Sequence, residues 1–108
     1  MSHFACIVQE DSTAHERRSV LEDRLRSHAA ANGLAGEPTF SWTVAADGFM
    51  FTEAKQSTSS IVSCHIPGPT TYTEREAFMR AVCTLWGEET GSTDHEIVVT
   101  ITETGPEA

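Results

Sequence analysis

Residues 1–10, MSHFACIVQE, decide how the rest of the chain is read. Phe4-Ala5-Cys6-Ile7-Val8 runs almost without polar interruption, so a strand begins within the first few residues. Chain ends usually fray unless something ties them down. A strand this early implies that the leading end has a fixed place. About 58 residues further on the pattern starts again, with Ile61-Val62-Ser63-Cys64-His65-Ile66.

The segment after each of these strands is also repeated. Thr13 and Glu16 fit a Thr-x-x-Glu capping box, and Leu21, Leu25 and His28 then recur on one helical face. Asn32-Gly33 ends that helix. Phe40, Trp42 and Val44 alternate with Ser41 and Thr43 as a second strand. Asp47-Gly48 signals a turn, Phe49-Met50-Phe51 reads as a short returning strand, and Lys55 to Ser60, KQSTSS, reads as loop. In the second half Pro67-Gly68-Pro69 stops the strand and Thr73 to Glu76 fits another capping box. Phe78, Val82 and Leu85 share a helical face, Gly91 closes the helix, and Ile97 to Thr102 forms the last strand. The tail beyond it reads as frayed.

The two halves, about residues 2–46 and 60–104, are each strand, helix, strand within one domain, 1–108. A helical crossover favours parallel strands with a right-handed connection. The expected fold is α+β: duplicated β-α-β units forming one mainly four-stranded sheet with two helices on one face. The other sheet face then lacks a cover, and other copies of the chain are the expected cover. The same element order also describes ferredoxin-like dimers, including small cofactorless monooxygenases, whose sheet is antiparallel overall.

Sixteen Asp plus Glu against seven Lys plus Arg give a net charge of −9. That opposes binding to nucleic-acid phosphates or to anionic lipid. No apolar run is long enough to span a bilayer, and no secretory signal is evident, so the cytoplasm is the expected location. Three widely spaced cysteines, Cys6, Cys64 and Cys83, make no disulfide framework and read as buried thiols. His3, Cys6, Cys64 and His65 sit on strands that should be neighbours, but no CxxC or HxxxH spacing exists. Adjacent Cys64 and His65 point to opposite faces, so neither a metal nor a cofactor is expected. No GxSxG elbow, GxGxxG turn or phosphate loop is present.

With the duplicated plan in view, the chain resembles the tautomerase superfamily, which includes macrophage migration inhibitory factor and 4-oxalocrotonate tautomerase. The likeness covers nearly the whole chain and is best through TEREAFMRAVCTLWGEETGSTDHEIVVTITE. The cis-3-chloroacrylic acid dehalogenase branch looks most similar. The resemblance implies a homotrimer and an isomerase, or a hydratase or dehalogenase-like enzyme. Its substrate would be a small keto/enol or unsaturated carboxylic acid, handled by proton transfer or hydration near the N-terminus. It implies that the residue after the initiator methionine supplies its amine as acid or base.

Ser2 occupies that position here, where the family has proline. A primary amine with a reference pKa near 8 still moves protons if Met1 is removed; if Met1 is kept, the amine is displaced by one residue. The branch's carboxylate-holding arginine pair falls near Gly68 and Thr71, neither of them cationic. Arg75 is the nearest cation and the candidate for that role; the alternative is a surface partner for Glu74 or Glu76. His28 and Glu103 match the branch's functional histidine and its catalytic glutamate. The alternatives are a histidine at the core edge and an exposed carboxylate at a strand end. Tyr72 is a candidate pocket residue, and Trp86 reads as core. A non-catalytic binding or interaction protein on the same fold is the competing reading.

Overall fold

The N-terminal strand is apolar almost throughout, and its burial alternates along most of its length. In the computed structural model, which describes residues 2–34, 36–52 and 54–103, β1 spans His3–Gln9 and buries Phe4, Cys6 and Val8. Met1 and the tail beyond Glu103 lie outside the described residues. A short helix α1 (Thr13–Glu16) precedes α2 (Arg18–Ala31). Then come β2 (Thr39–Ala45), a hairpin of β3 (Phe51–Thr52) and β4 (Lys55–Gln56), β5 (Ser60–Ile66), α3 (Tyr72–Thr90) and β6 (Ile97–Glu103). The order in the main sheet is β2-β1-β5-β6.

Each half forms a parallel pair, β1 with β2 and β5 with β6, and the halves join through antiparallel β1 and β5. Parallel pairs of sequential strands across a helix differ from the antiparallel sheet of the ferredoxin-like alternative. Both long helices lie on one face. Phe4, Val62, Leu21, Leu25, Val82 and Trp86 are fully buried between helices and sheet. Phe4 stacks on Phe40 and Phe78, and Trp42 lies over Trp86 at 6.0 Å. Outside this core, Arg17 and Arg24 of the first helical layer both reach Glu89 of α3.

The opposite face has no helix over it. Alternation and register put His3, Ala5 and Ile7 of β1 there, with Thr39, Ser41 and Thr43 of β2. Ile61, Ser63 and His65 of β5 and Val98, Thr100 and Thr102 of β6 complete it.

Local boundaries differ from the sequence expectation in three places. The first helix is capped by Ser12, whose hydroxyl accepts from the His15 N–H at 3.1 Å, and it breaks at Arg17. The second capping box is Thr71–Glu74: Thr71 Oγ1 accepts from Glu74 N at 3.1 Å and Glu74 Oε1 accepts from Thr71 N at 2.8 Å. Thr73 and Glu76 fit the same pattern in sequence. The frame is settled by backbone, because Thr71 has the extended conformation a cap needs (φ −86, ψ 162). Finally, Phe49 is largely exposed and strand structure starts only at Phe51, pairing with Lys55-Gln56. That hairpin faces no core, so hydrophobic alternation does not mark it.

The three cysteines sit in or against the core. Burial pushes the Cys6 and Cys64 thiols up to about 12 and also raises Cys83, so they pack as small apolar groups rather than as thiolates. Among the described residues no group of three His, Cys, Asp or Glu side chains is placed to hold a metal ion. No helix among them is long and apolar enough to cross a membrane.

Phe78 joins both helices to the sheet, touching Phe4 and His28. Phe78→Ala is expected to cost about 3–5 kcal/mol of unfolding free energy. Urea denaturation checks this; a loss under about 1 kcal/mol would mean that the ring is not part of a close-packed core.

Candidate functional site

Antiparallel pairing brings the start of β1 to the end of β5, and parallel pairing brings the end of β6 beside it. Ser2 precedes the His3–His65 pair, and Ile66 lies opposite Glu103. Ser2 is 1% exposed; its carbonyl accepts from Thr39 N at 3.1 Å. The Ser2 hydroxyl is buried and has no hydrogen-bond partner among the described residues.

The segment Pro67 to Thr71 folds over these strand ends. Gly68 passes so close to Glu103 that an added Cβ would lie 2.8 Å from its carboxyl carbon. The absence of a side chain therefore lets the carboxylate in. Thr70 then holds Glu103 Oε2 twice, with its backbone N–H at 2.8 Å and with its hydroxyl. Arg75, in the first turn of α3, donates through Nη1 to Thr70 O at 2.8 Å and to Thr70 Oγ1 at 3.1 Å. The same nitrogen lies 3.4 Å from Glu103 Oε2. The Thr70 hydroxyl, then the Thr70 N–H, and beyond them the Arg75 guanidinium hold the Glu103 carboxyl below its ordinary range. Glu103 is thus an oriented anion at neutral pH.

Beside this cluster is a cavity of about 230 Å³. Leu34, Ile66 and Phe78 supply its apolar surface, and Asn32, Thr70, Glu74 and Arg75 its polar wall. Nη1 makes the hydrogen bonds that Arg75 forms among the described residues, leaving Nη2 and Nε to donate to a ligand. Arg75 borders both this cavity and the depression beside Tyr72, and a guanidinium beside a small half-apolar space suits a carboxylate on a short carbon chain.

The other candidates sit around this cavity rather than in it. Tyr72 is 71% exposed and borders a separate shallow depression with Met79, Val99 and Ile101, on the β6 side of Arg75. His28 stands behind the cavity wall. Its Nε2–H donates to Phe78 O at 3.2 Å, its Nδ1 accepts from Asn32 Nδ2 at 3.2 Å, and its ring packs on Phe78 with centroids 4.3 Å apart. Burial lowers its pKa against the pull of the Phe78 carbonyl. His28 therefore positions Phe78 and Asn32, and it opens onto a larger groove of about 550 Å³ between α2 and α3. Sequence reasoning missed Thr70 and Asn32, and read Gly68 as part of a strand stop and as a non-cationic residue near the branch's arginine pair. A glycine two residues ahead of a threonine, just before a helix cap, was the available signal for the carboxylate clamp.

With this geometry established, known proteins can be compared. No family model matches the chain, and no curated protein sequence matches it. Solved structures do match. The crystal structure of native Ps01740 has a TM-score of 0.85 at 18% identity, covering 95% of this chain and 94% of that one. N1, a member of the cis-3-chloroacrylic acid dehalogenase family, has a TM-score of 0.83 at 12% identity, over 95% of this chain and 75% of that one. A fused 4-OT wild type symmetric trimer has a TM-score of 0.82 at 10% identity, over 97% and 89%. The chain has the tautomerase-superfamily fold.

The clamp on Glu103 is testable by titration. Because its folded pKa lies below the unfolded value, ionised Glu103 contributes stability above the ordinary carboxylate range. That contribution is lost as pH falls through the folded pKa. Thr70→Val removes the hydroxyl bond, and Gly68→Ala displaces the carboxylate. Both are expected to raise the Glu103 midpoint toward the ordinary value in a carboxyl-detected NMR titration. Unchanged midpoints in both variants would show that the clamp does not form.

Proposed function

We propose that this chain is a tautomerase-superfamily protein acting on a small carboxylic acid with a keto/enol or unsaturated system. The observation that supports this reading is the oriented pair of Arg75 and Glu103 at the end of β6, one strand across Ile66 from the buried start of β1. Arg75 holds the substrate carboxylate through its unused donors. The apolar surface of Leu34, Ile66 and Phe78 takes the carbon chain. The amine of Ser2, freed by removal of Met1, moves the proton between carbon and oxygen; its reference pKa near 8 suits that exchange at neutral pH. Glu103, kept ionised, accepts a hydrogen bond from substrate or water and turns it toward the reacting carbon. Proton transfer gives an isomerase; with Glu103 directing water, the same placement gives a hydratase.

We further propose that the chain assembles as a homotrimer through the uncovered sheet face. The trimeric 4-OT neighbour supports this, as do the apolar Ile7, Ile61 and Val98 on that face. Nothing in the reading requires a metal or organic cofactor.

Intact mass identifies the mature terminus, and ketonisation of phenylenolpyruvate tests the chemistry. A rate above buffer is expected once Met1 is absent. Arg75→Gln is expected to lower kcat/KM about 10- to 100-fold, mainly through KM, the range for losing a hydrogen bond to a charged group. No rate above buffer with Met1 absent would sink amine-based tautomerisation and leave a binding protein of the same fold.

A further inference from the structure

The uncovered sheet face is chemically unlike the rest of the molecule. The chain has sixteen acidic and seven basic side chains and a net charge of −9, yet none of the described residues projecting from this face is Asp, Glu, Lys or Arg. Its apolar groups are interspersed with serine and threonine hydroxyls. Its titratable groups are two imidazoles, His3 and His65, paired across β1 and β5 with ring centroids 6.0 Å apart. The His3 ring is fixed from both sides, Nδ1 lying 2.6 Å from Thr39 Oγ1 and Nε2 3.2 Å from Ser41 Oγ. Among the described residues the strands place no carboxylate on the face: Glu103, at the same end of the sheet as the two histidines, turns to the helix side and is held by Thr70, and the Asp47 carboxylate accepts from Gln9 Nε2 at 3.1 Å at the far end of β1. Glu10 and Asp47 lie at the far end, where Asp47 N donates to Glu10 Oε1.

These facts specify both the occupant and its control. Two copies at −9 repel over most of their surfaces, and burying an unpaired carboxylate is costly. The charge-free face is where a second copy of this chain can dock without that cost. Because β1 and β5 are the middle strands, His3 and His65 sit on the strands that such an interface covers most deeply. A protonated imidazole there would be a buried cation with no anion to pair with.

We propose that His3 and His65 gate self-association by pH: copies join through this face when both rings are neutral and separate when they are protonated. The inference rests on the self-association reading above. The sign comes from linkage. An interface that excludes protons from both rings is weakened as pH falls. The other histidines act elsewhere. His28 lies in the helical layer with its pKa lowered, His15 belongs to α1, and His95 belongs to the turn before β6.

The test is sedimentation velocity on the full chain at about pH 8 and about pH 5.5, above the range where most carboxylates titrate, with far-UV circular dichroism at each pH. The wild type is expected to run as an oligomer at the higher pH and to dissociate at the lower, with unchanged dichroism. Its midpoint concentration should rise more than about tenfold, an assembly cost of about 1.4 kcal/mol. His3→Asn with His65→Gln is expected to stay assembled at both; His65→Gln alone serves if the double variant does not fold. A wild type assembled at both pH values would overturn the gate while leaving self-association intact. A variant dissociating as the wild type does would also overturn it, as would dichroism lost together with mass. A single chain at both pH values would overturn the self-association reading and the gate with it.

Discussion

The antiparallel seam between β1 and β5 is the constraint on which the rest of this molecule depends. Each half could close its own parallel pair, but only the seam makes one sheet of them. It brings the first residues of the chain to the last residues of β5, and through β5 to the end of β6. Phe4, Cys6 and Val8 face the helices because the strand pleat allows nothing else once Cys64 and Val62 stand opposite. A one-residue slip would turn those side chains to the open face and shift Ser2 along the strand. Position and chemistry are thus set by one register.

Around the strand ends a backbone turn anchors the chain's own carboxylate. Gly68 leaves room for a carboxylate, Thr70 holds it, and Arg75 stands behind both. An arginine at position 68 could not coexist with Glu103 where it lies, since even a single added carbon meets it at 2.8 Å. Gly68 is thus committed to the anchoring of Glu103. Thr71 is likewise committed, serving as the helix cap.

Much of the fold was legible because it rests on periodicity. Apolar runs marked β1, β5 and β6, alternation marked β2, helical spacing marked the faces of α2 and α3, and the offset between halves marked the duplication. Helix starts were less legible, since Thr71 and Thr73 offer the same capping pattern and only the backbone distinguishes them. The β3–β4 hairpin was half hidden because a strand with no buried face leaves no alternation. At the site, the placement of Glu103 near Arg75 depends on a loop crossing that no spacing rule encodes. The inward turn of His28 toward the Phe78 carbonyl depends on α3, which lies fifty residues away in sequence.

The two tryptophans have a consequence of another kind. Trp42, on β2, donates from its indole nitrogen to Glu22, while Trp86, on α3, is fully buried with its own indole nitrogen unpartnered among the described residues. Their rings lie 6.0 Å apart across the gap between sheet and helices. One fluorophore is wired to a carboxylate and the other is shielded from water, so the native state carries its own optical gauge. Near-ultraviolet ellipticity and emission colour report the closeness of the two layers without any added dye.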